Sequence, residues 1–104
     1  MKRVIITGGS GYVGGAIARE LAAHDWEVHV LSSRGAQPCD VRDETSVQSA
    51  VARIAAMGPV HAVIHAAASP LERTTLTNVS PDSFDTAVAV AARGAYLLAR
   101  AVAS

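Results

Sequence analysis

The chain has 104 residues, half of them apolar and only 4% aromatic, with nine basic and nine acidic side chains that leave no net charge. That length allows one domain whose core is built from Ala, Val, Ile and Leu, and cations spread singly along the chain argue against nucleic acid as the primary partner. No apolar run approaches a bilayer span, the N-terminus reads as a strand and not a signal peptide, and the lone Cys39 can close no internal disulfide, so a reducing cytoplasm is the expected compartment.

Residues 3–7 predict a buried strand, because Val4, Ile5 and Ile6 are three consecutive β-branched residues without a polar interruption. Residues 13–24 switch to helical spacing, with Val13, Ile17 and Leu21 on one side and Arg19, Glu20 and His24 on the other. Between them lies Thr7-Gly8-Gly9-Ser10-Gly11-Tyr12-Val13-Gly14. Gly8 is expected to take backbone angles forbidden to other residues, Gly11 to let phosphate oxygens approach the main chain, and Gly14 to let the helix lie close on the strand. A strand before and a helix after supply the context in which such a turn holds a pyrophosphate at a helix N-terminus. No Gly-Lys-Ser/Thr ends the turn, which excludes a Walker-type phosphate loop.

Glu27 to Leu31 predicts a second strand, followed by Ser32-Ser33-Arg34-Gly35 where the adenosine ribose of a dinucleotide would lie. An acidic residue there would repel a 2′-phosphate; this chain offers Ser33 and Arg34 instead. One charge-assisted bond from Arg34 would be worth about 1.5–3 kcal/mol, or about tenfold or more in favour of NADP over NAD. Gln37 to Val41 predicts a short third strand with Cys39 as a small filler, and Asp40 reads equally as a ligand to the adenine amino group or as a turn residue. Asp43 to Met57 predicts a helix, with Asp43 or Thr45 as its cap and Gly58-Pro59 as its stop.

Val60 to Ala66 predicts a fourth strand, ending in the small residues Ala66-Ala67-Ala68-Ser69 that would admit a flat ring or a ribose. His65 reads first as a histidine satisfied by its neighbours, and the four histidines have no metal-ligand spacing. Residues 71–80 form a polar loop, a candidate cover, and Ser80-Pro81 opens a long helix that runs nearly to the C-terminus. Its Thr86-Ala87-Val88-Ala89-Val90-Ala91-Ala92 stretch is apolar on every side, so a cover beyond the sheet is expected. Strand, helix, strand, short strand, helix, strand and helix describe an α/β unit, a Rossmann-like doubly wound parallel sheet of four strands in the order 3-2-1-4.

The glycine turn at 7–14, Ser33-Arg34, Cys39-Asp40-Val41-Arg42-Asp43, His65-Ala66-Ala67, Phe84-Asp85 and Arg93-Gly94, in this order, resemble the N-terminal part of the short-chain dehydrogenase/reductase family. The resemblance implies that Gly8, Ser10, Gly11, Tyr12, Val13 and Gly14 surround the pyrophosphate and ribose. It places Ser33 and Arg34 at the 2′-phosphate, Asp40 and Val41 at the adenine, and Ala66 and Ala67 at the nicotinamide-side ribose. The implied cofactor is NADP, with NAD as the alternative.

The family's catalytic Tyr, with Lys four residues later, does not carry over, nor does its helical Asn. Tyr12 is followed at that distance by Ala16 and Tyr96 by Arg100; the chain's one lysine is Lys2, and Ala91 stands at the Asn position. The chain therefore reads either as the cofactor-binding part of an oxidoreductase whose Ser, Tyr and Lys lie elsewhere, or as a non-catalytic binding or dimerising module. The strand edge and alanine-rich helix left open predict a homo-oligomer, or a partner chain, through residues 84–102.

Overall fold

The computed structural model describes residues 1–69 and 75–104. The chain forms β1 (Arg3–Thr7), α1 (Tyr12–Ala23), β2 (Glu27–Leu31), α2 (Glu44–Ala55), β3 (Ala62–His65), a 3-10 turn at Leu76–Asn78, α3 (Pro81–Val88), a π turn at Ala89–Arg93 and α4 (Gly94–Ala103). The strands are parallel in the order β2-β1-β3, with Ile5 level with His29 on one side and Val63 on the other. In this Rossmann-like arrangement the path turns back at β1, and right-handed crossovers put α1 and α2 on opposite faces of the sheet.

Val4, Ile5, Ile6 and Thr7 are fully buried, as a central parallel strand covered on both faces requires. Ile5 belongs to the core with Leu31, Cys39, Val47, Ala50, Val51 and Ile54, closed by Leu97 and Leu98 from α4. Val4 and Ile6 alternate to the opposite face, that of α1. At the start of the strands Arg3 donates to Glu27, which also pairs with His29 Nε2 at 2.9 Å. The bonds from His29 and then Arg3 hold the Glu27 carboxyl below its usual range.

The third strand expected over residues 37–41 does not form, and the sheet has three strands among the described residues. The segment runs beside the end of β2 but pairs only through a Ser32–Pro38 bridge and the Cys39 N–H to Ser32 O bond of 2.9 Å. Pro38 has no N–H to give a ladder. The Asp40 N–H donates to Ser46 Oγ at 2.9 Å, which turns the chain into α2 before a second rung can be made. Asp43 occupies the N-cap position of α2 without a capping side-chain bond.

Ser80 caps α3 as its sequence suggests, accepting from the Ser83 N–H at 3.0 Å with Pro81 in the first turn. From Pro81 to Ala103 the helix is continuous and, by length and composition alone, long and apolar enough to cross a membrane. This corrects the expectation that no such run exists; the length comes from joining two moderately apolar segments across Arg93-Gly94. Only 17% of its most apolar stretch is buried: no residue of α3 is buried, whereas α4 buries Gly94, Leu97 and Leu98. The expected cover of this helix is not supplied by the described residues. Of the loop expected to cover the cleft, Leu71 to Thr74 lie outside the described residues, as does Pro70.

Candidate functional site: a cleft at the carboxyl ends of the strands

The turn after β1 is held by three backbone contacts. Gly8 N–H donates to Leu31 O at 3.1 Å, Gly11 N–H to Gly8 O at 3.0 Å, and Gly15 N–H to Gly11 O at 2.8 Å, which starts α1. Gly8 has φ +69°, and a Cβ there would stand 2.6 Å from Ala67 N. Gly14 is buried for a reason different from the one the sequence suggested: a Cβ would collide with Gly8 O inside the turn, not with the strand. It is Gly9 that meets the sheet, with Val30 of β2 2.7 Å from where its Cβ would be. Gly11 is the N-cap of α1, in extended conformation and without a side-chain cap. The first-turn N–H groups of α1 consequently have no partner inside the helix, and the macrodipole adds partial positive charge there.

These residues open onto a cleft of about 860 Å³ at the carboxyl ends of the strands, the size of a cofactor site. Of the twelve residues the sequence singles out, Gly8, Ser10, Gly11, Tyr12, Val13, Gly14, Ser33, Asp40, Val41, Ala66 and Ala67 line it, whereas Arg34 does not. Arg34 is exposed on the loop beyond Ser33. The lining also contains Arg42, Ser46, Thr86 and Val90, which the sequence reading did not select. Thr86 and Val90 come from the long helix, which therefore forms one wall of the cleft as well as closing the core.

Asp40 behaves as a turn residue here. Its Oδ1 accepts from Arg42 N at 3.0 Å and from Arg42 Nε at 3.0 Å, and its Oδ2 accepts from Arg42 Nη2 at 3.2 Å. The Arg42 guanidinium bonded to it holds the Asp40 carboxyl below the usual carboxylate range, and the bonded carboxylate in turn raises the Arg42 guanidinium above its ordinary value. Both side chains are about half exposed, so the pair organises the loop more than it stabilises the fold. Cys39, beside it, is buried, and that burial pushes its thiol above the ordinary range, the property of an inert filler. His65, outside the lining but next to Ala66, sits between Thr7 Oγ1 at 2.6 Å and Val90 O at 2.9 Å.

Neither tyrosine has a lysine at hand. Tyr12 is 96% exposed at the mouth of the cleft. The Tyr96 hydroxyl lies outside the lining and accepts from Arg100 Nη1 at 3.4 Å. Lys2 lies over the Trp26 ring, 5.6 Å from its centroid, before the start of β1. No group of three or more His, Cys, Asp or Glu residues among the described residues has the geometry to hold a metal ion.

A model of the NAD dependent epimerase/dehydratase family matches residues 4–93. The chain is 37% identical over 117 aligned positions to polyketide synthase GfsB of Streptomyces halstedii, across 91% of this chain and 2% of the synthase. Among solved structures, a 3-ketoacyl-(acyl-carrier-protein) reductase from Brucella melitensis, complexed with NADH, matches with TM-score 0.90 at 24% identity, over 95% of this chain and 47% of that one. The citronellol catabolism dehydrogenase AtuB of Pseudomonas aeruginosa PAO1 matches with TM-score 0.82 at 30% identity, over 97% and 48%. The chain thus spans about half the length of these solved relatives and a small part of the synthase.

Proposed function

Because the chain belongs to the NAD dependent epimerase/dehydratase family, of short-chain dehydrogenase/reductase type, we propose that its cleft binds a nicotinamide dinucleotide for an oxidoreductase reaction. The observation that carries this reading is the turn at residues 8–14: three glycines are packed so that no Cβ intrudes, and the uncapped start of α1 opens on the cleft. The first-turn N–H groups would hold the pyrophosphate, Val41 would lie against the adenine, and the backbone at Ala66 and Ala67 would flank the nicotinamide-side ribose. The bound dinucleotide would supply hydride transfer; the residues of this chain bind and orient it. The family's Ser, Tyr and Lys would come from another segment or polypeptide, and the 104 residues alone would not turn over. Lys2 precedes β1, at the opposite end of the strand from the cleft, and does not reach a tyrosine there.

NADP is the preferred cofactor in this proposal. Ser33 lines the cleft, no carboxylate follows β2 directly to repel a 2′-phosphate, and Arg34 stands next along an exposed loop from which a long side chain can reach a bound phosphate. Titrating NADPH and NADH against the wild type and Arg34→Ala tests this. The expected result is an NADPH preference of about tenfold that falls towards unity in the variant. An unchanged ratio would remove Arg34 from the site.

The same chain would associate through residues 84–102, with another copy or with a partner carrying further strands. Phe84, Val88 and Tyr96 are exposed along this helix. An apolar helix face of this length beside a strand edge favours association. Sedimentation should show a species larger than the monomer at micromolar protein; a well-behaved monomer would contradict the proposal.

A further inference from the structure

We propose that His65 is a positioning residue that ties the Ala66–Ala67 end of the cleft to the π turn at Ala89–Arg93, so that the long helix sets the nicotinamide side of the site. The inference rests on the dinucleotide reading above. Its starting point is the π turn itself: Gly94 N–H donates to Ala89 O, one residue further back than its α-helical partner, Val90 O. The Val90 carbonyl faces His65 Nε2 at 2.9 Å. A carbonyl only accepts, so the hydrogen is on Nε2, and Nδ1 accepts from the Thr7 hydroxyl at 2.6 Å. With its proton committed to His65, the Thr7 oxygen is left to accept from the Ala67 N–H at 3.4 Å. Each donor in this relay has one acceptor, and the chain of bonds runs from helix to cofactor loop.

The surrounding packing keeps the parts in place. Thr7 is fully buried. Gly94 is buried too, and a Cβ on it would stand 3.1 Å from His65 Cε1 and 3.1 Å from Val41 Cγ2, so the helix rests directly on the imidazole and on the adenine-side loop. Arg93 Nε donates to Arg42 O at 3.1 Å, a second tie from the same π turn to that loop. The helix therefore touches both halves of the cleft through one turn, and His65 is its link to the nicotinamide half.

The test compares NADP+ with 2′,5′-ADP, which lacks the nicotinamide half, by calorimetry on the full chain and on His65→Phe, His65→Gln and Thr7→Val. Loss of the relay in His65→Phe or Thr7→Val should weaken NADP+ about tenfold, the effect of one lost positioning bond, with 2′,5′-ADP changed less than about twofold. His65→Gln, which can still donate and accept, should recover most of the affinity. Equal weakening of both ligands, or no weakening of either, overturns the proposal. A ligand-free readout separates this from failure of the dinucleotide reading. Amide exchange at Ala67 and Gly94 should quicken in His65→Phe and Thr7→Val and stay near wild type in His65→Gln, and unchanged exchange overturns the relay even if the wild type binds neither ligand.

Discussion

Replacing Gly14 by alanine should abolish dinucleotide binding and cost the fold about 3 kcal/mol, the upper part of the range for overpacking a rigid site. The new methyl group would collide with Gly8 O and stand 2.7 Å from Gly8 C and 3.0 Å from Gly9 Cα, all backbone atoms with no rotamer to yield. Gly8 cannot retreat, because its N–H is bonded to Leu31 O and its Cα faces the Ala66–Ala67 backbone. The collision would therefore open the turn and disperse the N–H groups it gathers. Gly11→Ala provides the contrast. Its nearest neighbour would be Gly8 O at 3.3 Å and its φ of −81° suits alanine, so stability should change little while a methyl group now occupies the phosphate approach. Urea denaturation of both variants alongside NADP+ titration separates the two effects. Intact binding by Gly14→Ala would show that the turn does not hold the ligand.

Leu98→Ala should be the most damaging change away from the cleft, costing about 2–5 kcal/mol as buried leucine truncations do. Leu98 is 1% exposed and packs in the core that Ile5, Val47 and Ile54 share. It is the anchor of α4, and α4 carries Gly94 and the π turn against β3 and the Val41–Arg42 loop. A loss of core packing should thus appear a second time as weaker ligand binding, smaller than the loss in stability. The measurement is the urea midpoint at constant slope. A cost below about 1 kcal/mol would mean that α4 is not fixed to the sheet.

The parts of this molecule that were legible in its sequence are those with local causes. Three β-branched residues made β1, the glycine spacing made the turn, and the Ser80-Pro81 pair made the start of α3. The third strand expected over residues 37–41 fails for a reason that depends on partners: Pro38 lacks a donor, and Ser46 takes the Asp40 N–H. Arg42 stands two residues from Asp40, a spacing that only the tight turn of the folded loop converts into a bidentate pair. The π turn had no sequence signal at all, since its alanines and valines suit an α-helix equally well. Its partner, His65, is 25 residues away. The loop direction that carries Arg34 outside the cleft lining is likewise set by tertiary contacts around Ser32 and Pro38, not by the Ser-Arg pair itself.

On the proposed reading, the glycine turn and the start of α1 hold the diphosphate of a nicotinamide dinucleotide. Thermal unfolding of the chain with and without NADP+ measures this directly. Ligand at a hundred times its dissociation constant should add about 2.7 kcal/mol of stability, raising the midpoint by roughly 10–20 °C for a domain of this size. A midpoint that does not move with millimolar NADP+ or NAD+, in material that unfolds cooperatively, would contradict it.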